Sequence, residues 1–401
     1  MSKKKTPLKK TRRVGIWHDL ESPLKREFDT YAGVQEFANE AGWQCSIDPV
    51  LEHSLLPESG EIPYDGILGL VTPEIATAAR QADVPMVNVW LNSPVKGVPS
   101  VLVDSEAQGV MAAEHLLARG FRQFGYLGYK RLLNAQGQLK GFRARLKEEG
   151  LRCASLRFPH TLFAVSNKVP GWTKFVSNLE AWIDRMELPI GVYVSDDLYC
   201  RCLIHVLRSK GLHVPGDVAI IGSGNETLMC ESPAPSLTSI DMGHKQKGYQ
   251  AAALLERLMA GEATPSEPIL VPPAGLIPRQ STDSYAADDP LVSRALRHIA
   301  ENGHKAMEVP DVVTAMATTR RTLERKFRAS LGRTIAEEIT RLRLERAKRR
   351  LVETDAPLKE VAMDSGFPTA NHFTKVFSRV EKISPTQYRA ERKQWFKERG
   401  G

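Results

Sequence analysis

The chain has 401 residues, enough for two or three domains with sizeable cores, and its 42% hydrophobic and 25% charged residues are ordinary for a globular protein. It contains no run of about 18 apolar residues to cross a membrane, and only a strand's length of apolar sequence follows the basic start MSKKKTPLKKTRR, which therefore does not read as a secretory signal. Cys45, Cys153, Cys200, Cys202 and Cys230 are odd in number and scattered, so they predict packing roles in a reducing cytoplasm rather than disulfides or a metal site.

The net charge of +8 is unevenly placed. Residues 1–13 carry seven Lys or Arg and no acid; residues 14–290 carry 24 basic and 33 acidic side chains, net −9; residues 291–401 carry 24 and 14, net +10. A basic end on an acidic body is the electrostatic footprint of a polyanion binder. The first thirteen residues read as a solvated, disordered arm, with phosphate contact as the alternative.

From residue 14 to about 282, short apolar runs alternate with amphipathic stretches. The runs VGIW, YDGILGLV, PMVNVW, SVLVD, QFGYLG, GVYVSD, VAIIGSG and LTSID predict strands; residues 31–41, 105–119, 136–149, 198–210 and 247–259 predict helices. Near-continuous apolar strands alternating with helices imply parallel sheets covered on both faces, and the length implies two such lobes. Ligands of such folds sit beyond the carboxyl ends of the strands. That places candidate contacts at Trp17 to Glu21 (Asp19 included), at Asp104, at Asp196 with Asp197, and at Ser223 to Glu226 (Asn225 included). For Asp104 and Asp196 the competing reading is helix N-capping, which can coexist with a binding role. Residues 283–290 read as a linker.

Residues 309–389 hold two helix-turn-helix patterns in tandem, VPDVVTAMATTRRTLERKF and LKEVAMDSGFPTANHFTKVF. In the first, Leu323 and Phe327 face inward; Thr319 and Arg320 open the second helix, and Arg321, Glu324, Arg325 and Arg328 fall on its outer side. In the second, Phe373 and Phe377 face inward and leave Asn371, His372, Thr374, Lys375 and Ser378 outward. Arg fits the O6/N7 edge of guanine and Asn the N6/N7 edge of adenine, which makes these faces candidates for reading double-stranded DNA. Between the units, residues 334–354 contain no Gly or Pro and predict a rod of ~30 Å, against ~34 Å for a turn of B-DNA. Its apolar positions change sides, from Ile335, Ile339 and Leu342 to Leu344, Ala347 and Leu351, as a helix shared by two small cores would require.

The run RLRLERAKRRLVETDAPLKEVAMDSGF, with HFTKVF and SPTQYR after it, resembles the DNA-binding domain of the arabinose-regulator (AraC/XylS) family. Two departures are visible: Lys382 stands where that family usually has Gly, at a position wanting a left-handed backbone, and Ala317 and Thr318 leave the first turn without Gly. The runs VLVDSEAQGVMAAEHLLARGFRQFGYLG and VYVSDDLYCRCLIHVLRSKGLHVPGDVAIIGSGNE resemble the sugar-binding core of the lactose/galactose repressor family, which is shared with periplasmic binding proteins. That resemblance implies a sugar between the lobes, with Asp104 and Asp196 at acidic contact positions. Gln138 stands where relatives present Arg, and Gly224, followed by Asn225, where they place Asp.

Together the two resemblances imply a cytoplasmic transcription regulator and homodimer, an activator that contacts RNA polymerase, controlled by a small sugar such as xylose or another pentose. No cofactor, metal or catalytic residue is expected, since no Gly-x-Ser-x-Gly, phosphate-cradling loop or His-Glu-x2-His occurs. The alternative is a sugar-binding or carbohydrate-processing protein whose tail binds DNA incidentally.

Overall fold

The computed structural model describes residues 11–18, 25–56, 60–159, 169–231, 234–283, 289–303 and 306–390. The chain begins in a first α/β lobe with β1 (Arg13–Trp17), α1 (Lys25–Ala41), β2 (Gln44–Ile47), α2 (Leu51–Ser54), β3 (Gly66–Gly69), α3 (Pro73–Gln81), β4 (Met86–Asn88) and β5 (Val101–Val103). It passes into a second lobe through α4 (Ser105–Leu117), β6 (Gln123–Tyr129), α5 (Leu133–Glu148), β7 (Cys153–Phe158), α6 (Val169–Ile183), β8 (Ile190–Val194), α7 (Asp197–Ser209), β9 (Val218–Ser223), α8 (Thr227–Glu231) and β10 (Thr238–Asp241). It then returns to the first lobe with α9 (His244–Met259) and β11 (Ile269–Val271), and ends in the second with β12 (Gly275–Ile277) and a 3-10 turn at Gln280–Thr282.

The first sheet runs β2-β1-β3-β4, all parallel; an Asn88–Ser100 bridge continues it toward β5, which pairs in parallel with β11. The second runs β12-β10-β9-β8-β6-β7, parallel except for β12. The eight predicted strands are all present, and each sheet carries apolar clusters on both faces. α1 and α9 pack against each other at close approach: a Cβ on Gly33 would lie 1.9 Å from the Lys245 carbonyl oxygen, and one on Gly248 2.0 Å from that of Thr30. Burying both faces of a parallel sheet in this way brings the strands' carboxyl ends and the helices' N-termini to a shared edge.

Arg13, expected in the basic arm, opens β1 instead, its amide donating to Asp65 Oδ2 at 2.8 Å, while Arg12 Nη2 donates to the Met259 carbonyl. The rest of that arm, and residues 284–288 of the expected linker, lie outside the described residues. Pro290, also expected in the linker, is the first residue of α10 (Pro290–Asn302), a place where a missing N–H costs nothing; Asp289 caps that helix.

Five further helices follow: α11 (Val309–Ala315), α12 (Arg320–Leu331), α13 (Ile335–Glu353), α14 (Leu358–Asp364) and α15 (Ala370–Glu381). α11 with α12 and α14 with α15 are the two helix-turn-helix units. Ile335, Ile339 and Leu342 of α13 belong to the core containing Leu323 and Phe327; Leu344, Ala347 and Leu351 belong to the one containing Phe373 and Phe377. Thr334 and Glu337 start α13 with a reciprocal capping box. Both departures from the family turn pattern carry backbone strain, for Ala317 has φ +49° and Lys382 φ +65°, in the region Gly366 occupies without penalty in the second turn. Lys382→Gly should therefore stabilise the helix-turn-helix region by about 1 kcal/mol, read as a raised melting temperature; Ala317→Gly should do the same, and a fall for both would mean that the strain is compensated by their side chains.

Candidate functional site

Two regions gather the predicted residues. On α12, Thr319 caps the helix by accepting from the Thr322 amide, and Arg320, Arg321, Arg325 and Arg328 are all exposed on its outer side. Glu324 is half-buried and accepts from the Ile335 amide at 3.4 Å, so it is drawn toward the start of α13 rather than projecting with the arginines. On α15, Thr369 caps the helix by accepting from the His372 amide, and Asn371, His372 and Lys375 are exposed. Thr374 and Ser378 are half-buried, the Thr374 hydroxyl donating back to the Ala370 carbonyl. A further basic side chain of α12, Lys326, pairs with Asp289 at the start of α10 and is unavailable to DNA in that position.

The second region is the edge shared by the two lobes. The chain passes between them at Asp104, at 241–243 and at 272–274. The crossings are stitched together, the Asp104 amide donating to the Val271 carbonyl (2.8 Å) and the Ala274 amide to the Asp241 carbonyl (2.9 Å). Contacts also run from lobe to lobe: the Lys25 amide donates to Glu226, and the Leu133 amide to Asn92 Oδ1 at 2.9 Å.

Trp17 is half-buried at the end of β1, while Asp19 and Glu21 fall outside the described residues. Asp104 caps α4 by accepting from the Ala107 amide, and Asp196 caps α7 by accepting from the Leu198 amide; each remains partly exposed, with carboxylate capacity left over. Burial pushes the Asp196 carboxyl up, against the Leu198 amide, Arg26 and Tyr129, which favour its ionised form. Asp197 is fully buried and holds the loops behind the site: it accepts from Ser239 Oγ (2.7 Å) and the Glu226 amide (2.9 Å), and burial raises its pKa to about 6. Gln138 and Asn225 have been drawn into structure. Gln138 is fully buried, donating to Gln108 Oε1 and accepting from the Tyr126 hydroxyl, and the Asn225 side chain accepts from the buried Arg279 at 2.9 Å.

Sequence reasoning reached His18 of the first-lobe wall, within the stretch Trp17 to Glu21, and missed the rest. His18 follows β1; Lys25, Arg26 and Glu27 begin α1; His244 and Lys247 begin α9. Burial favours the neutral form of Glu27, but His18 (3.0 Å) and Arg26 (2.9 Å) outweigh it and hold its pKa at about 2. Lys247, 7% exposed, donates from Nζ to the Val89 carbonyl just past β4, and burial lowers its pKa to about 8 in spite of Glu27. His244 is held neutral by burial and by the cations around it, Lys247, Arg26 and Lys25.

Comparison with known proteins matches a periplasmic binding protein-like domain to residues 113–282 and a helix-turn-helix domain to residues 312–391. Fold and site together define the class: the chain is a DNA-binding transcription regulator in which a periplasmic binding protein-like domain precedes a helix-turn-helix domain. Within that class it is similar to the xylose operon regulatory protein of Escherichia coli (strain K12), with 28% identity over 79% of this chain and 81% of the relative. It is also similar to the protein of that name from Haemophilus influenzae, with 28% identity over 73% of this chain and 74% of the relative. A solved xylose-binding transcription activator superposes with TM-score 0.70 and 26% identity, covering 95% of this chain and 98% of that one. A transcriptional regulator CelR–cellobiose complex shares the fold of the ligand domain, with TM-score 0.53 and 21% identity over 69% of this chain.

A buried ammonium costs the fold unless something compensates it. Because the folded pKa of Lys247 lies below its unfolded value, its penalty is full below pH 8 and is relieved as pH rises from there toward the ordinary lysine value of 10.5. Lys247→Met should thus raise the melting temperature of the ligand-free protein at pH 7, by about 1 kcal/mol or more, with the advantage shrinking in melts above pH 8.

Proposed function

We propose that this chain is a cytoplasmic, homodimeric transcription activator that binds a small sugar between its lobes and contacts RNA polymerase when bound to DNA. The observation that carries the reading is α13: one rigid helix, shared by two cores, sets two exposed basic or polar recognition faces at a fixed separation. Its 19 residues span ~28 Å, close to the ~34 Å between successive major grooves on one side of B-DNA. The similarity to xylose regulators supports a pentose as the first ligand to test. A ligand that touches both lobes shifts their equilibrium only by its difference in affinity for the two arrangements, and this is how it would alter the spacing of helix-turn-helix units across a dimer.

For the ligand, a panel of four- to six-carbon sugars including D-xylose should contain a member that raises the melting temperature. Asp104→Asn and Asp196→Asn should each abolish that shift while leaving the unliganded protein folded, because Asn caps helices about as well as Asp. A full shift in both variants would remove these carboxylates from the site.

For DNA, Arg328→Ala should weaken cognate and random duplexes alike and flatten the dependence of log affinity on log salt by ~1. Asn371→Ala should cost ~1–3 kcal/mol on the cognate site and little on random DNA, relaxing preference in one half of the site. Footprints of the two units should lie one helical turn apart on one face of the duplex. Equal losses on both DNAs for Asn371→Ala would leave α15 a clamp rather than a reader.

A further inference from the structure

The α9 end of the cleft is built for a negative charge. Gly243, the residue before α9, has φ +77° and no side chain to cap the helix, so the first amides of this 16-residue helix have no side-chain cap. An uncapped N-terminus carries roughly half a positive charge together with free N–H donors. The first residue of that helix is His244, 8% exposed, and neither of its ring nitrogens has a hydrogen-bond partner. Buried polar groups are nearly always satisfied, and leaving one unpaired costs about 1–3 kcal/mol. One turn on, the Lys247 ammonium has three donors and spends one on the Val89 carbonyl.

Among the described residues, the nearby carboxylates do not supply the missing partner. Glu27 is met by Arg26 at 2.9 Å and by His18 at 3.0 Å, and Asp241 lies 3.7 Å from Lys25. His244 is without a polar partner and Lys247 has donors to spare, so an acceptor, and a negative one, brought to this end of α9 would resolve both. At the crossing and on the far lobe the groups are of opposite character: Asp104 and Asp196 offer carboxylate oxygens suited to hydroxyl donors. The cleft thus has an anion-binding end and a hydroxyl-binding end.

We propose that the effector is a small polyhydroxylated anion, a sugar acid or a sugar phosphate, with its charged end at the N-terminus of α9 against His244 and Lys247 and its hydroxyls toward Asp104 and Asp196. This rests on the reading of the cleft as a sugar site and narrows its ligand class. A neutral sugar hydroxyl could accept from Lys247, but it would leave Glu27 as the sole charge set against the buried ammonium; a carboxylate or phosphate adds a second and can take the helix amides as well.

The test uses the full chain and three matched sets of probes at constant ionic strength: neutral aldoses of four to six carbons, the corresponding aldonates, and their terminal phosphate esters, with inorganic phosphate as control. Calorimetry should find an aldonate or an ester binding about tenfold or more tightly than its parent aldose, and the set that responds separates carboxylate from phosphate. Lys247→Met should erase that preference, weakening the charged probe about tenfold and the parent aldose less than twofold. His244→Gln, a milder change, should weaken the charged probe in the same direction. A parent aldose that binds as tightly as its charged derivatives, or a Lys247→Met effect equal on both, overturns the proposal while the sugar reading stands. Silence from all three sets in protein that still binds DNA overturns both.

Discussion

The change of side along α13 is the constraint on which the DNA-binding half depends. A helix with one apolar stripe serves one core; here the stripe rotates near the middle, so Leu342 closes the first core and Leu344, two residues on, opens the second. Each helix-turn-helix unit completes its core with side chains of that helix. Because one uninterrupted helix serves both, the angle and distance between α12 and α15 are properties of a single rigid body. The ion pairs along α13 reinforce this: Glu338, wholly buried, is held by Arg333 at 2.8 Å and by two bonds from Arg341. Removing one partner from such a group is costly, which ties the start of α13 to its own first turns.

The ligand half is organised by a different economy. Asp197, Gln138 and Asn225 are committed to holding loops and helices together, whereas Asp104 and Asp196 each cap a helix and stay partly exposed. The same residue types in neighbouring positions therefore do opposite things. Asp196 and Asp197 differ by one place in sequence, yet one is half-exposed at the helix cap and the other is sealed beneath β9 and β10, where a Cβ on Gly222 would lie 2.0 Å from its oxygen.

Much of this was legible in the sequence. The long apolar strands, the two inward apolar pairs Leu323–Phe327 and Phe373–Phe377, and the side switch on α13 follow from period alone. What was hidden falls into two kinds. β2, β11 and β12 are three or four residues long, and β2 and the six-residue β7 lie largely or partly exposed at sheet edges, so all four carry too little apolar pattern to register. The α1 and α9 parts of the first-lobe wall were missed for another reason. Reasoning from strand ends looks just past each strand, but His244 and Lys247 lie in a stretch, HKQKG, that reads as a solvated charged helix start. Only the return of the chain across the cleft buries it against β4. Gln138, expected at the ligand from a family position, and Asn225, expected there from the end of β9 as well, are both engaged in tertiary hydrogen bonds that no sequence pattern announces.

The three passages of backbone between the lobes have a mechanical consequence. They lie side by side and are hydrogen-bonded to one another, so twisting or sliding one lobe over the other would shear Asp104 from Val271 and Asp241 from Ala274. Bending about the line through all three leaves those bonds intact. The softest motion is therefore a one-axis rocking, a single coordinate rather than a general loosening. Cutting the chain at any one passage would leave two intact, and that coordinate would survive the break.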